Sequence, residues 1–197
     1  ALERAGLGYA RLDDDAVDRR AAEMLADSAV IGWYQGRMEF GPRALGARSI
    51  LADPRPGGVR GRVNRVVKRR EDFRPFAPSV LAEEAARWFE VEGAAPFMTR
   101  TARVRGFGGA TAAGTAPGDF AAWRVDSPLA AVTHVDGSAR LQTVSREDNP
   151  RFHALLSAFQ RRTGVPVVIN TSLNRRGEPL ICSPEDALAM FYASGLE

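Results

Sequence analysis

The sequence predicts a mixed-sheet α/β (α+β) domain, a twisted sheet flanked by helices. Three observations point there. Apolar runs at Val30 to Tyr34, Ser49 to Ala52 and Val167 to Ile169 have strand length. Between such runs, apolar residues recur at helical spacing. Asp136-Gly137 separates two further apolar runs, a hairpin signal.

The elements follow in chain order. Residues 1–12 read as a linker or strand remnant, so 1–28 is a linker and leading helix and 29–197 a single domain. Asp13 to Asp15 supply a cap and first-turn acids, and Val17, Ala21, Met24 and Leu25 then share one helical face, ending near Ser28. Val59, Val63, Val66 and Val67 predict a second amphipathic helix, with Arg62, Arg65 and Arg69 on its polar face. Two prolines in Phe73 to Leu81 predict an edge or turn-entry segment rather than a central strand. Glu83 to Phe89 reads as a short helix burying Trp88 and Phe89. Gly106 to Gly118 is small and non-periodic, the pattern of a mobile loop. Leu129 to His134 and Ala139 to Val144 are the two hairpin arms. Asn149 and Pro150 start the clearest helix, its buried stripe is Phe152, Leu155, Leu156 and Phe159, and Gly164 ends it. Ser183 and Asp186 form a capping box before Ala187, Leu188 and Phe191, which are expected to pack inward.

Composition narrows the classes. With 45% apolar and 26% charged residues the chain is expected to be globular, and no apolar run approaches the roughly 20 residues of a membrane span. The single cysteine, Cys182, excludes an internal disulfide framework and suits a reducing, cytoplasmic setting; it reads as a buried apolar residue. Two distant histidines and one cysteine build no metal site. The absence of an initiator methionine, with an end inside a helical pattern, reads as a domain of a longer polypeptide.

The net charge is only +3, but Arg55 to Arg74 holds eight basic residues against two acids. Within that patch Lys68 is the only lysine of the chain. It reads either as a requirement for a compact ammonium or as chance survival in an arginine-biased composition.

Gly36 to Ile50, GRMEFGPRALGARSI, sets Arg37, Arg43, Arg48 and Glu39 among three glycines after an apolar strand, where α/β folds place anionic ligands. The Lys68-Arg69-Arg70-Glu71 tetrad, the run Asn170 to Asn174, and His134 with Arg140 are further polar clusters beside apolar elements. Converging, they would suit a nucleoside triphosphate or another phosphorylated metabolite. His134, at a strand end, reads more readily as a partly buried structural histidine than as a catalyst, and Asn170 and Asn174 read also as turn residues. Walker A, GxGxxG and GxSxG motifs are absent from the sequence.

The blocks GRMEFGPRALGARSILADPR, VKRREDFRPFAPSVL, HVDGSARLQTVS and PVVINTSLNRRGEPLICSPEDAL resemble the C-terminal half of nodulation-type O-carbamoyltransferases. That resemblance implies a YrdC-like domain which binds ATP, with Mg2+ on its phosphates, and carbamoyl phosphate, and forms carbamoyl-adenylate. It implies a Kae1-like domain of the same polypeptide, holding iron or another metal, that passes the carbamoyl group to a hydroxyl of a small natural product or sugar. By position, Lys68 and Arg70 match the family's Lys-x-Arg pair and Ser172 and Asn174 its Ser-x-Asn pair. Arg43 and Arg140 match arginines that hold carbamoyl phosphate or nucleotide phosphates, which makes Lys68, Arg43 and Arg140 the expected catalytic set. Glu39 and His134 match polar members of the same blocks. Leu173 stands where the family commonly has phenylalanine, which puts a stacking role there in doubt. Neither a membrane nor a nucleic acid is an expected partner. The alternative is an RNA-binding or structural module using the basic 60–70 helix.

Overall fold

The computed structural model describes residues 1–71, 74–112 and 123–196. In chain order the elements are α1 (Asp14–Ala26), β1 (Ile31–Tyr34), β2 (Arg48–Ala52), α2 (Gly58–Arg62), β3 (Ala77–Leu81), α3 (Ala85–Trp88), β4 (Arg100–Arg103), β5 (Gly109–Ala112), β6 (Trp123–Asp126), β7 (Ser138–Val144), α4 (Pro150–Thr163), β8 (Val167–Ser172) and α5 (Pro184–Ala193). A mixed six-stranded sheet runs β1-β2-β8-β3-β7-β4, and β5 with β6 forms a separate ribbon. Within the large sheet β3 and β7 are parallel, and the other neighbours are antiparallel. This is the α/β architecture expected, with helices packed on a mixed sheet.

Capping chemistry places the helices. The Asp13 carboxylate accepts from the Ala16 N–H at 2.7 Å. Asn149 accepts from the Phe152 N–H, Pro150 takes the first turn, and Gly164 closes α4 at φ +76°. Ser183 and Asp186 make the capping box of α5. Phe152, Leu155, Leu156 and Phe159 are fully buried where α4 meets α1, β3 and β8, and each contributes about 1.5–3 kcal/mol of burial.

Five expectations need correction. β3 is an interior strand despite Pro78, because its ladder with β7 starts only at Ser79 and the missing donor falls ahead of it. Phe73 lies outside the described residues. Leu129 to His134 is not a strand: the Val132 and Thr133 N–H groups both donate to the Leu129 carbonyl, curling the apolar run inward. The antiparallel partner of β7 is therefore β4, and only the tight turn before Ser138 survives from the hairpin. Gly109–Ala112 is a strand paired with β6, built from backbone bonds that small side chains leave unhindered; residues 113–118 lie outside the described residues. Cys182 is exposed, and Phe191 is 39% exposed while Met190 takes the buried place on α5.

The valine helix changes character midway. Val59, Val63 and Val67 are buried as expected; the side chain of Val66 lies outside the described residues. After α2, residues Val63–Lys68 form a π-helical turn that ends in Arg69 at φ +46°, a left-handed residue. Such departures from α-helical winding collect at functional sites.

Gly46 has φ +106°, and a Cβ there would lie 2.3 Å from Phe152 Cδ1. It combines strain with a clash against a fully buried ring. Gly46→Ala should therefore destabilise the fold by about 2–4 kcal/mol in urea unfolding. Gly41→Ala, with φ +128° but nothing within 4 Å, should cost less, and equal losses would contradict the packing argument.

Candidate anion-binding cleft

Lys68 and Arg70 would point apart on a regular helix, since residues two apart do not share a face. The left-handed turn at Arg69 breaks that geometry, and both side chains line one cleft of about 220 Å³ with Arg74, Ser172, Asn174 and Arg176. Lys68 is 4% exposed. Its Nζ donates to the Ser172 carbonyl, Ser172 Oγ, the Asn174 carbonyl and Asn174 Oδ1, all between 2.5 and 3.1 Å. Four neutral oxygens thus collar a three-proton ammonium. Burial, and then the Arg70 charge, pull the Lys68 ammonium down to about 7.

Arg70 is fixed by three contacts. Its Nε donates to Asn64 Oδ1 at 2.7 Å, its backbone N–H to the Asn64 carbonyl at 3.0 Å, and its guanidinium stacks 4.9 Å from the Phe76 ring centroid. Burial first, and then Arg74, lower it from its ordinary value, with Glu71 opposing. Ser172 and Asn174 reach the cleft from the end of β8, where strand alternation turns the intervening Leu173 into the core, 3% exposed. No aromatic could face the cleft from that position.

A second compartment of about 120 Å³ shares Arg70 and Ser172 with the first and adds Arg43, Arg140 and Asn170. Arg140 Nε is buried and has no hydrogen-bond partner among the described residues. Burial, followed by the charge of Arg43, lowers Arg140, which nonetheless stays charged. Neither compartment's lining carries a carboxylate among the described residues. Arg74 and Arg175 at the rim are paired with Glu71 and Glu178. Lys68, Arg70, Arg43 and Arg140 instead face linings that hold no carboxylate among the described residues, and such a concentration of cationic donors makes an anion site.

The structure brings together six of the eight residues singled out: Lys68, Arg70, Ser172 and Asn174 in one compartment, Arg43 and Arg140 in the other. Glu39 instead organises the loop that carries Arg43. Its Oε1 accepts from the N–H groups of Leu45, Ala47 and Arg48 at 2.7, 2.7 and 3.2 Å. His134 sits in the turn before β7, with Nδ1 3.3 Å from Ser138 Oγ. Burial lowers it below its ordinary value; Asp136 opposes this, and Arg140 and Arg60 add to it. Of the other loop arginines, Arg37 is exposed. Arg48 is buried against Tyr34 and donates to the carbonyls of Gln35, Ala47, Gly36 and Cys182. Sequence reasoning missed Asn64, Arg74 and Arg176 as site residues; the Arg175-Arg176 pair directly after Asn174 was the available signal.

The Lys68 value fixes a pH dependence. The unfolded chain holds its lysine proton to about pH 10, the empty fold only to about pH 7. Between these limits the unfolded state binds more protons, so stability rises with pH across the window. Urea unfolding at about pH 7 and about pH 9 should show that gain in the wild type and a smaller one in Lys68→Met. Equal gains in both proteins would exclude Lys68 as its source.

Comparison with known proteins places the chain in a family. The family described as Carbamoyltransferase C-terminus matches residues 22–197. The chain is 47% identical over 186 residues to the nodulation protein NolO of Bradyrhizobium diazoefficiens, covering 93% of this chain and 31% of that protein. It is 49% identical over 186 residues to the nodulation protein NolNO of Sinorhizobium fredii, covering 93% of this chain and 25% of that one. With the 3'-hydroxymethylcephem-O-carbamoyltransferase of Amycolatopsis lactamdurans it shares 42% identity over 172 residues, 87% of this chain and 29% of that enzyme. The chain therefore spans less than a third of the length of these relatives. A match over nearly its whole length, taking in both compartments of the cleft, establishes that the chain belongs to the carbamoyltransferase C-terminus family.

Proposed function

We propose that the two compartments bind ATP and carbamoyl phosphate and form carbamoyl-adenylate, the activating half of an O-carbamoyltransferase acting on a hydroxyl of a small natural product or sugar. The observation that carries this reading is the pair of cation-lined compartments meeting at Arg70 and Ser172. Two phosphorylated ligands placed there would have their reacting ends side by side. Carbamoyl phosphate would lose its phosphate to water, leaving carbamate. A carbamate oxygen would then bond to the α-phosphorus of ATP as the bond from that phosphorus to the β-bridging oxygen breaks and pyrophosphate leaves. Negative charge accumulates on phosphoryl oxygens in that step, and positioned cations stabilise it without a covalent nucleophile. Lys68, Arg70, Arg43 and Arg140 are assigned that task. With no carboxylate in the described lining, magnesium would sit on the nucleotide's own oxygens, neutralising part of their charge.

The family membership and the cephem carbamoyltransferase among the relatives support carbamoyl transfer. Completion of transfer is assigned to a Kae1-like domain of the same polypeptide. The rival reading, a basic helix docked on RNA, is less well supported, because the basic residues of 60–70 do not form one solvated face. Arg62 donates to the Ser28 carbonyl at 2.6 Å, Lys68 is buried, and Arg70 turns into the cleft.

The test is carbamoyl-phosphate-dependent exchange of pyrophosphate into ATP by the full-length protein. Lys68→Ala should lower kcat/KM by roughly 30- to 1,000-fold, the equivalent of about 2–4 kcal/mol. Lys68→Arg should also lose activity, because a planar guanidinium does not fit a collar built for an ammonium. Exchange without carbamoyl phosphate, or full activity in Lys68→Ala, would refute the proposal.

A further inference from the structure

Four polar groups cross the sheet beneath the second compartment in a fixed order. The Leu45 carbonyl, in the Arg43 loop, can only accept, and Gln142 Nε2 donates to it at 2.9 Å. That commits the Gln142 amide: its nitrogen faces the loop and its Oε1 faces the sheet. Oε1 accepts from Ser79 Oγ at 2.6 Å and from Asn170 Nδ2 at 3.1 Å, and Asn170 Nδ2 also donates to Ser79 Oγ at 3.0 Å. The Asn170 nitrogen is thereby used, and its Oδ1 is left over. Asn170 is 1% exposed, lines the second compartment, and its Oδ1 has no partner among the described residues.

Asn170 and Arg140 both line the compartment, and each holds a buried polar atom, the acceptor Oδ1 and the donor Nε, with no hydrogen-bond partner among the described residues. A fully ionised phosphoryl group satisfies only the arginines, since it has no donor to offer Oδ1. A ligand with an N–H group beside an anionic oxygen satisfies both. We infer that Gln142 is a positioning residue: by holding the Asn170 nitrogen at Ser79 and Gln142, it leaves Oδ1 as the amide's free acceptor for a ligand and makes this compartment select a carbamoyl group over an acetyl group. This rests on the reading of the cleft as a carbamoyl phosphate site. Acetyl phosphate carries a methyl where carbamoyl phosphate carries NH2, so its binding would bury Oδ1 unpaired. Sites built to hydrogen-bond a substrate N–H reject the analogue lacking it strongly. Gln142 also ties the Arg43 loop to β7 through Leu45, so one side chain sets both the acceptor and the loop.

The experiment compares carbamoyl phosphate with acetyl phosphate in pyrophosphate exchange by the full-length protein. The wild type should prefer carbamoyl phosphate by at least about a hundredfold in kcat/KM. Gln142→Met, close in volume, should compress that ratio by at least about tenfold, through a raised KM for carbamoyl phosphate with the KM for ATP unchanged. Thr143→Val removes a neighbouring buried hydroxyl that accepts from the Ala95 N–H; it should destabilise the fold and leave the ratio as it was. If Gln142→Met does not fold, Asn170→Ala carries the test. It deletes the oxygen while leaving Gln142 on Leu45 and Ser79, and it should lose the preference too. A wild type that uses both acyl phosphates alike, or variants that keep the wild-type ratio, overturns this inference alone. A wild type with no carbamoyl-phosphate dependence overturns the underlying reading and this inference with it.

Discussion

The site depends on one buried ammonium. Lys68 brings its amine to a place 4% exposed, where four neutral oxygens from Ser172 and Asn174 surround it and no carboxylate lines the cleft among the described residues. Such a charge is expensive to hold until an anion arrives. At the effective dielectric of partly buried sites, an anionic oxygen about 4 Å from a fixed cation gains about 4 kcal/mol. The empty cleft is thus destabilised in a way that an anionic ligand relieves, which ties affinity to the fold's own electrostatics.

Much of the surrounding structure serves to hold cations together against their repulsion. The π-helical turn and the left-handed Arg69 aim Lys68 and Arg70 at the same space. Asn64, fully buried, fixes Arg70 from the side and donates to the Arg74 carbonyl. On the opposite wall, Glu39 gathers three backbone N–H groups to shape the Arg43 loop, and Gly46 lets that loop pass against Phe152. Arg140, Gln142, Ser79, Asn170 and Ser172 fall on one face of the sheet by strand alternation and register. The sheet delivers polar groups to one side at fixed spacing, and the loops supply the charge.

What could be read in the sequence follows from how local each signal is. The caps at Asp13, Asn149 and Ser183 and the α4 stripe are decided within a few residues, and they hold in the structure. The central place of β3 was hidden because a strand's neighbours are set by tertiary pairing, and Pro78 argued for an edge. The run Leu129 to His134 has strand composition, yet its backbone closes on Leu129 instead. Lys68 and Arg70 were visible as a pair, but the backbone geometry that converges them has no counterpart in hydrophobic periodicity. The Gln142 ladder was hidden for the same reason: its members come from three strands and a loop.

The most direct test of the Lys68 cleft as the anion site is the proton balance of ATP binding. Calorimetry near pH 8, in buffers of different ionisation enthalpy, measures it. At that pH the empty Lys68, held to about 7, is largely neutral, and the bound phosphates favour its ammonium form. ATP binding to the wild-type protein should therefore take up a substantial fraction of one proton, and binding to Lys68→Arg, already charged, should not. Uptake of the same size in both proteins, or none in the wild type, would contradict the account.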